Sequence, residues 1–212
     1  MSALLRIQDG GRFLLVRNLH RRETFAPFGG VIKYHSDAMR TLDSFQFRSQ
    51  DLGPGPDMAN DLRGFVPRRN LASLVSWYER DEEREGVAEC LRRELDEELR
   101  EVNEGGLLVG HELQFRVVRT IDEGPIYPPG VPYLQFRIFT VCDLVVTEAS
   151  RGLVRALFAA SSGHPDLLTV SSDEILSGRA TDGSGVAATS AYLLRPRRVR
   201  PADGHHDLDP DR

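Results

Sequence analysis

The chain has 212 residues, 40% hydrophobic and 28% charged, and carries a formal net charge of −5. That is enough chain for one substantial core, and it argues against wholesale disorder, repeat arrays and multi-domain architecture. The acidic balance removes the basic excess on which generic binding to a nucleic-acid backbone relies. No apolar run approaches the roughly 20 residues of a membrane span. Two cysteines in apolar surroundings, Cys90 and Cys142, and no secretory-type leader make a cytoplasmic location the expectation.

In chain order, Ala3 to Gln8 and Arg12 to Asn18 read as short strands around Asp9-Gly10-Gly11, which predicts a β-hairpin. The apolar stretch Phe25 to Tyr34 carries Gly29-Gly30 at its middle, where a strand bulges, turns or admits a close backbone approach. From His35 to about Arg69 periodicity is lost, and Gly53-Pro54-Gly55-Pro56 marks an exposed loop, so this part reads as an insertion. Leu71, Leu74, Val75 and Tyr78 restore helical spacing. A second, highly charged helix is predicted from about Glu82 to Glu101, stopped by Asn103 and Gly105-Gly106.

Alternation at Leu113, Phe115 and Val117, and again at Leu134, Phe136 and Ile138, predicts two long strands within Leu107 to Ile121 and Tyr133 to Val146. Pro125, Pro128, Pro129 and Gly130 form the loop between them. A helix from about Glu148 to Ala160 follows, then a strand, Leu167 to Val170, and a short helix opened by the Ser171-x-x-Glu174 capping box. Beyond Pro196 almost no apolar anchor remains, so one domain over 1–196 and a disordered tail over 197–212 are expected.

The most informative segment is Glu85 to Glu101. At 100° per residue, Glu94, Glu97, Glu98 and Glu101 fall within an arc of about 100°, beside a Leu91, Leu95, Leu99 stripe suited to burial. Like charges at i, i+4 cost roughly 0.2–0.5 kcal/mol per pair, so something positive should offset them. Arg93 can pair with Glu97, and the remaining oxygens suit a hard divalent cation, Mg²⁺ or Mn²⁺. Spacing alone favours a solvated face, neutralised by Arg84, Arg92, Arg93 and Arg100.

Arg93-Glu94-Leu95-Asp96-Glu97-Glu98 reads R-E-U-x-E-E with U aliphatic, and Glu85 stands seven intervening residues ahead of Arg93. This resembles the second half of the Nudix box, G-x5-E-x7-R-E-U-x-E-E-x-G-U, the signature of hydrolases that cleave nucleoside diphosphates linked to another group. Phe25-Ala26-Pro27-Phe28-Gly29-Gly30 is similar to the segment that opens the box, with Gly30 as the box glycine. Between Gly30 and Glu85 lie 54 residues instead of 5, so the box is split by an insertion of about 49, roughly residues 31–79. The closing glycine and aliphatic residue are replaced by Arg100 and Glu101. With Asp61 to Gly64 and Trp77-Tyr78 in the insertion, the chain resembles the Nudix domains associated with CD-NTases (SMODS) in bacterial anti-phage systems.

The resemblance implies an α/β fold, a Nudix-like α/β/α sandwich with a mixed β-sheet. It implies Glu94, Glu97 and Glu98 as metal ligands, Glu98, Glu97 and Arg93 as catalytic residues, Gly29 and Gly30 as substrate-binding residues, and Glu85 as a structural box position. The implied activity is metal-dependent hydrolysis of a pyrophosphate linkage in a nucleotide. The alternative is a weakly catalytic module that senses a nucleotide such as a cyclic oligonucleotide. A functional link to a CD-NTase system is the implied partnership.

Other candidates are weaker. Cys90 is expected to be a packed small side chain rather than a nucleophile, and His20, His35, His111 and His164 lack metal-ligand spacing, while His205-His206 sits in the expected tail. Trp77, Tyr78 and Tyr133 are either core or stacking platforms, and Arg63, Arg68 and Arg69 either touch phosphates or face water.

Overall fold

The computed structural model describes residues 1–18, 23–50, 59–102 and 113–195. In chain order the elements are β1 (Ser2–Arg6), β2 (Gln8–Asp9), β3 (Arg12–Arg17), β4 (Thr24–Ala26), α1 (Met39–Ser44), β5 (Arg48–Ser49), β6 (Gly64–Phe65), α2 (Leu71–Glu79) and α3 (Val87–Glu101). There follow β7 (Phe115–Ile126), β8 (Gln135–Leu144), α4 (Glu148–Ser161), β9 (Leu167–Val170), α5 (Ser172–Ser177), β10 (Gly185–Val186) and a 3-10 stretch, Ala188–Leu193.

Two mixed sheets organise the molecule. One runs β1-β8-β7, with β1 parallel and β7 antiparallel to β8. The other runs β10-β4-β3-β2, with β9 also on β3 and β10 parallel to β4. Successive strand residues face opposite sides, and both sides are buried here. Ala3, Leu5, Leu14 and Val16 enter one core with Leu74 and Trp77 of α2, Leu91, Leu95 and Leu99 of α3, and Leu153 and Leu157 of α4. Leu4, Phe13 and Leu15 enter another with Ile175 of α5 and Ala191 to Leu193. Helical segments thus cover both faces of the β layer, giving the expected α/β class and sandwich layering.

Three expectations need correction. The predicted hairpin is only its tip: Gln8 pairs with Phe13 and Asp9 with Arg12. β1 leaves it to pair with β8, from Ser2 opposite Phe139 to Arg6 opposite Asp143. A local turn signal cannot reveal a parallel partner so far along the chain. Second, the described parts of His35 to Arg69 hold regular structure despite the lost periodicity, namely α1 and the two-stranded β5-β6 pair. Third, the charged helix begins at Val87 with Gly86 as N-cap, leaving Arg84 and Glu85 in an extended lead-in segment.

The later elements follow the sequence closely, although β7 continues through Pro125 and shortens the expected loop. At α5, the Ser171 hydroxyl accepts from Glu174 N–H at 3.2 Å while a Glu174 carboxylate oxygen accepts from Ser171 N–H at 2.7 Å. The loop at Gly53 to Pro56, the stop at Asn103 and Gly105-Gly106, His20, His111, His205-His206 and the tail over 197–212 lie outside the described residues. Among the described residues no helix is long and apolar enough to cross a membrane.

Candidate functional site

The site begins with the edge of β1. Ala3 N–H donates to Gly30 O at 2.9 Å and Leu5 N–H to Phe28 O at 2.8 Å, so the segment after β4 runs along β1 and carries both glycines to α3. Gly29 has φ +130°, and a Cβ there would lie 2.2 Å from Ala3 O, so only glycine fits. A Cβ at Gly30 would lie 2.1 Å from the Glu94 carboxyl, so this residue is small because the carboxylate occupies that space.

The insertion does not separate the halves of the motif. Leu62 N–H donates to Ile32 O at 2.9 Å and Tyr34 N–H to Asn60 O at 2.8 Å, which fastens one return of the chain. His35 N–H donates to Glu83 O and Glu85 N–H to Lys33 O, both at 2.8 Å, which fastens the second. Both ends of the long excursion are therefore bonded to the same short extended segment. Closing so long a loop costs only about 0.6 kcal/mol more than closing one of half its length.

Arg93 is the hub. Its Nε donates to Glu85 Oε1 at 2.7 Å and its Nη2 to Glu85 Oε2 at 2.8 Å, a bidentate pair. Nη1 donates to Glu94 Oε1 at 2.6 Å and, more weakly, to Glu97 Oε2 at 3.3 Å, while Nη2 also reaches Val31 O at 3.0 Å. The expected Arg93–Glu97 pair is thus the long member of a set whose main partner is Glu85. Glu85 is further held by Lys33 N–H at 3.0 Å. Burial alone would raise the Glu85 carboxyl, but Arg93 and the Lys33 N–H outweigh it and leave it below its usual range.

Glu98 accepts from Gly29 N–H at 3.0 Å. It is half-buried at its surface yet lies deep in the fold, and that burial pushes its carboxyl well above the usual range, with Glu94, Glu101 and Glu97 adding to the shift against the Gly29 N–H. Burial also raises Glu94, against the pull of Arg93. Glu97, with its side chain 38% exposed, forms the rim of this cluster.

The structure therefore brings Gly29, Gly30, Glu85, Arg93, Glu94, Glu97 and Glu98 together on one face of α3. Among the described residues, no three His, Cys, Asp or Glu side chains converge as a ligand set. The donors present are all carboxylate oxygens of the kind hard divalent cations take, and one of them sits in a cradle that a single methyl group would fill. That donor chemistry suits such a cation, although among the described residues the side chains are not gathered into a ligand set.

The sequence does not place two residues at the site that the structure puts beside it. Asp61, from the insertion, is 8% exposed, lies opposite Lys33 across a backbone bridge and pairs with Arg63 at 3.6 Å. Arg84 is buried rather than spread on a charged helix face: it donates to Tyr78 O at 2.6 and 2.9 Å and to Glu85 O at 2.7 Å, with its guanidinium 4.0 Å from the centre of the Tyr78 ring. No local pattern announces either position, because each depends on where the insertion returns.

The remaining candidates resolve plainly. Trp77 and Tyr78 are 1% and 5% exposed and belong to the core, with the Trp77 indole donating to Glu83 at 2.9 Å. Tyr133 meets Phe65 edge to face at 5.3 Å, and Arg69 donates to Gln46 at 2.7 Å. Arg68 is exposed. Cys90 is fully buried, with its thiol pushed up to about 12 by burial, so it is a packed side chain and not a nucleophile. His164 accepts from Asp166 N–H at 3.1 Å within a turn.

In comparison with known proteins, a family model described as the SMODS-associated NUDIX domain matches residues 1–194. No curated protein and no solved structure matches.

Proposed function

The chain belongs to the SMODS-associated NUDIX domain family, and from that premise we propose that it is a metal-dependent hydrolase cleaving a pyrophosphate linkage in a nucleoside diphosphate derivative. The observation that carries this reading is the reunion of Gly30 with Glu85, Arg93, Glu94 and Glu98 across the insertion. Such a meeting has no structural necessity on a merely solvated acidic face.

Glu94, Glu97 and Glu98 would hold Mg²⁺ or Mn²⁺, which when bound neutralises phosphate charge and makes water acidic enough to attack phosphorus at neutral pH. The chain's own residues have separable tasks. Glu85 fixes the Arg93 fork, and Arg93 in turn orients Glu94 and restrains Glu97. Gly29 N–H holds Oε2 of Glu98, leaving Oε1 as the oxygen it would offer the cation. Burial raises the proton affinity of Glu98 above the usual carboxylate range, so a nearby positive charge would be needed to hold it ionised. Gly29 and Gly30 let the phosphates approach the backbone.

We further propose that residues 1–196 act as one domain with the insertion over 31–79, in the cytoplasm, within a bacterial anti-phage system signalling through a CD-NTase. The family description supports that link. A second reading, a nucleotide-sensing module with little turnover, is favoured by one feature. α3 continues through Arg100 and Glu101, where the motif closes with a glycine and an aliphatic residue, so the end of the motif is helical here.

A mass-spectrometric screen for nucleoside monophosphate release from nucleoside diphosphate derivatives, with and without Mg²⁺, tests the choice. Metal-dependent release that vanishes in Glu98→Gln supports the hydrolase. Saturable binding of a cyclic oligonucleotide with no release supports the sensor.

A further inference from the structure

The insertion builds a cavity of about 570 Å³ between the end of α1, β5 and the chain following β6, lined by Asp43, Gln46, Phe47, Arg48, Phe65 and Val66 among others. That volume lies within the range of small-molecule sites, which combine apolar walls with a few polar groups. The lining has that character: two phenylalanine rings, an anionic acceptor at Asp43, a cationic donor at Arg48, and an amide at Gln46.

Two features are not required by packing. Phe65 is 45% exposed, with its ring braced edge-on against Tyr133 at 5.3 Å, so an aromatic surface is held rigid yet left uncovered. Gln46 adopts φ +57°, a left-handed conformation uncommon for a residue with a side chain, and its amide oxygen is tied to Arg69 at 2.7 Å.

The cavity is also tied to the carboxylate site. Tyr34 packs edge-on against Phe47 with ring centres 6.3 Å apart, and its hydroxyl lies 3.4 Å from Ser49 Oγ of β5. Tyr34 stands four residues past Gly30 on the same bridged segment, so at about 3.3 Å per extended residue its backbone lies at most ~13 Å from the box glycine.

We infer that this cavity receives a nucleobase, whose ring stacks on Phe65 and whose polar edge meets Asp43, Gln46 and Arg48. The inference rests on the nucleotide-hydrolase reading and names where its substrate's organic half binds. A carboxylate and a guanidinium lining one cavity complement the guanine edge best, because guanine offers N–H donors next to its O6 and N7 acceptors, and arginine is a common partner of those acceptors. The phosphates of the same ligand then lie toward Gly29 and Gly30.

The test uses phosphate-free probes, so its outcome does not depend on hydrolysis. The full-length protein is titrated with guanosine, adenosine, cytidine and uridine while the phenylalanine ring resonances are followed. Saturable shifts of Phe47 and Phe65, tightest with guanosine, are expected. Phe65→Ala and Arg48→Ala should each weaken binding about tenfold, the scale of one lost base–aromatic stack. Glu98→Gln should leave it unchanged, and the exposed position of Phe65 predicts an unaltered melting temperature for its variant. No ring shift with any of the four nucleosides, or undiminished affinity in both cavity variants, overturns the inference. Turnover without nucleoside binding removes the cavity assignment and keeps the hydrolase. Nucleoside binding without turnover does the reverse.

Discussion

Two glutamates in this protein hold backbone N–H groups and end in opposite electrostatic states. Glu174, at the start of α5, accepts from Ser171 N–H at 2.7 Å, Thr181 N–H at 2.8 Å and the Thr181 hydroxyl at 2.6 Å. The Thr181 and Ser171 bonds hold its carboxyl down at about 2. Glu98, on α3, accepts from Gly29 N–H at 3.0 Å and shares its surroundings with Glu94, Glu97 and Glu101, and burial pushes it well above its usual range. The first carboxylate is satisfied and works for the fold. The second is kept at a cost to the fold, the pattern by which functional sites differ from structural ion and hydrogen-bond networks.

The largest expected effect breaks this contrast at its functional end. Glu98→Gln should reduce turnover by about 100-fold or more, the scale of losing a principal electrostatic stabiliser. With divalent cations chelated at neutral pH, the same variant should melt no lower than the parent, because it removes a deep charge held by few partners. A variant with parental turnover, or one that loses several degrees, would contradict the assignment.

The paired glycines come next. Gly29→Ala should destabilise by about 2 to 3 kcal/mol, since the new methyl meets the Ala3 backbone at 2.2 Å and the positive φ disfavours a side chain. Gly30→Ala meets only the movable end of Glu94, so its melting temperature should hold while turnover falls about tenfold. Thermal scans and rate measurements on both variants separate the two roles. Equal destabilisation by both would mean that Glu94 has no room to yield.

Arg93→Lys tests the hub. An ammonium cannot reproduce the bidentate contact with Glu85 and the reach to Glu94 and Val31 O together. A loss of about 2 kcal/mol in denaturant unfolding is expected, below the full cost of breaking a buried pair because the guanidinium is 19% exposed.

The smallest effect lies at the structural end. Glu174→Gln should cost about 1 kcal/mol at neutral pH, comparable to a lost helix cap, with turnover unchanged. Because folding depresses this carboxyl from the usual 4.5 to about 2, its contribution is complete above the unfolded value and disappears as pH falls through the folded one. The stability gap between parent and variant should therefore narrow from about pH 4.5 downward and close near pH 2. A gap that persists there would assign the effect to lost hydrogen-bond geometry and not to charge.

Local chemistry determined a good deal by itself. The Ser171/Glu174 box, the α4 span and the leucine stripe of α3 were legible because each depends on neighbours within one or two turns. The R-E-U-x-E-E run and the glycine pair were legible for the same reason. Tertiary structure alone decided what joined them. Glu85 left the helix because Lys33 O captured its N–H, and Arg93 found its main partner there instead of at Glu97. β1 paired with β8 and not within a hairpin, freeing its other edge to carry Gly29 and Gly30 to the carboxylates. Asp61 and Arg84 gained their places only because both returns of the insertion are bonded to the segment from Ile32 to His35. Periodicity and capping are fixed by bonds a few residues long, whereas the meeting of distant segments depends on which backbone edges remain unpaired after the sheets form, and that is a property of the whole fold.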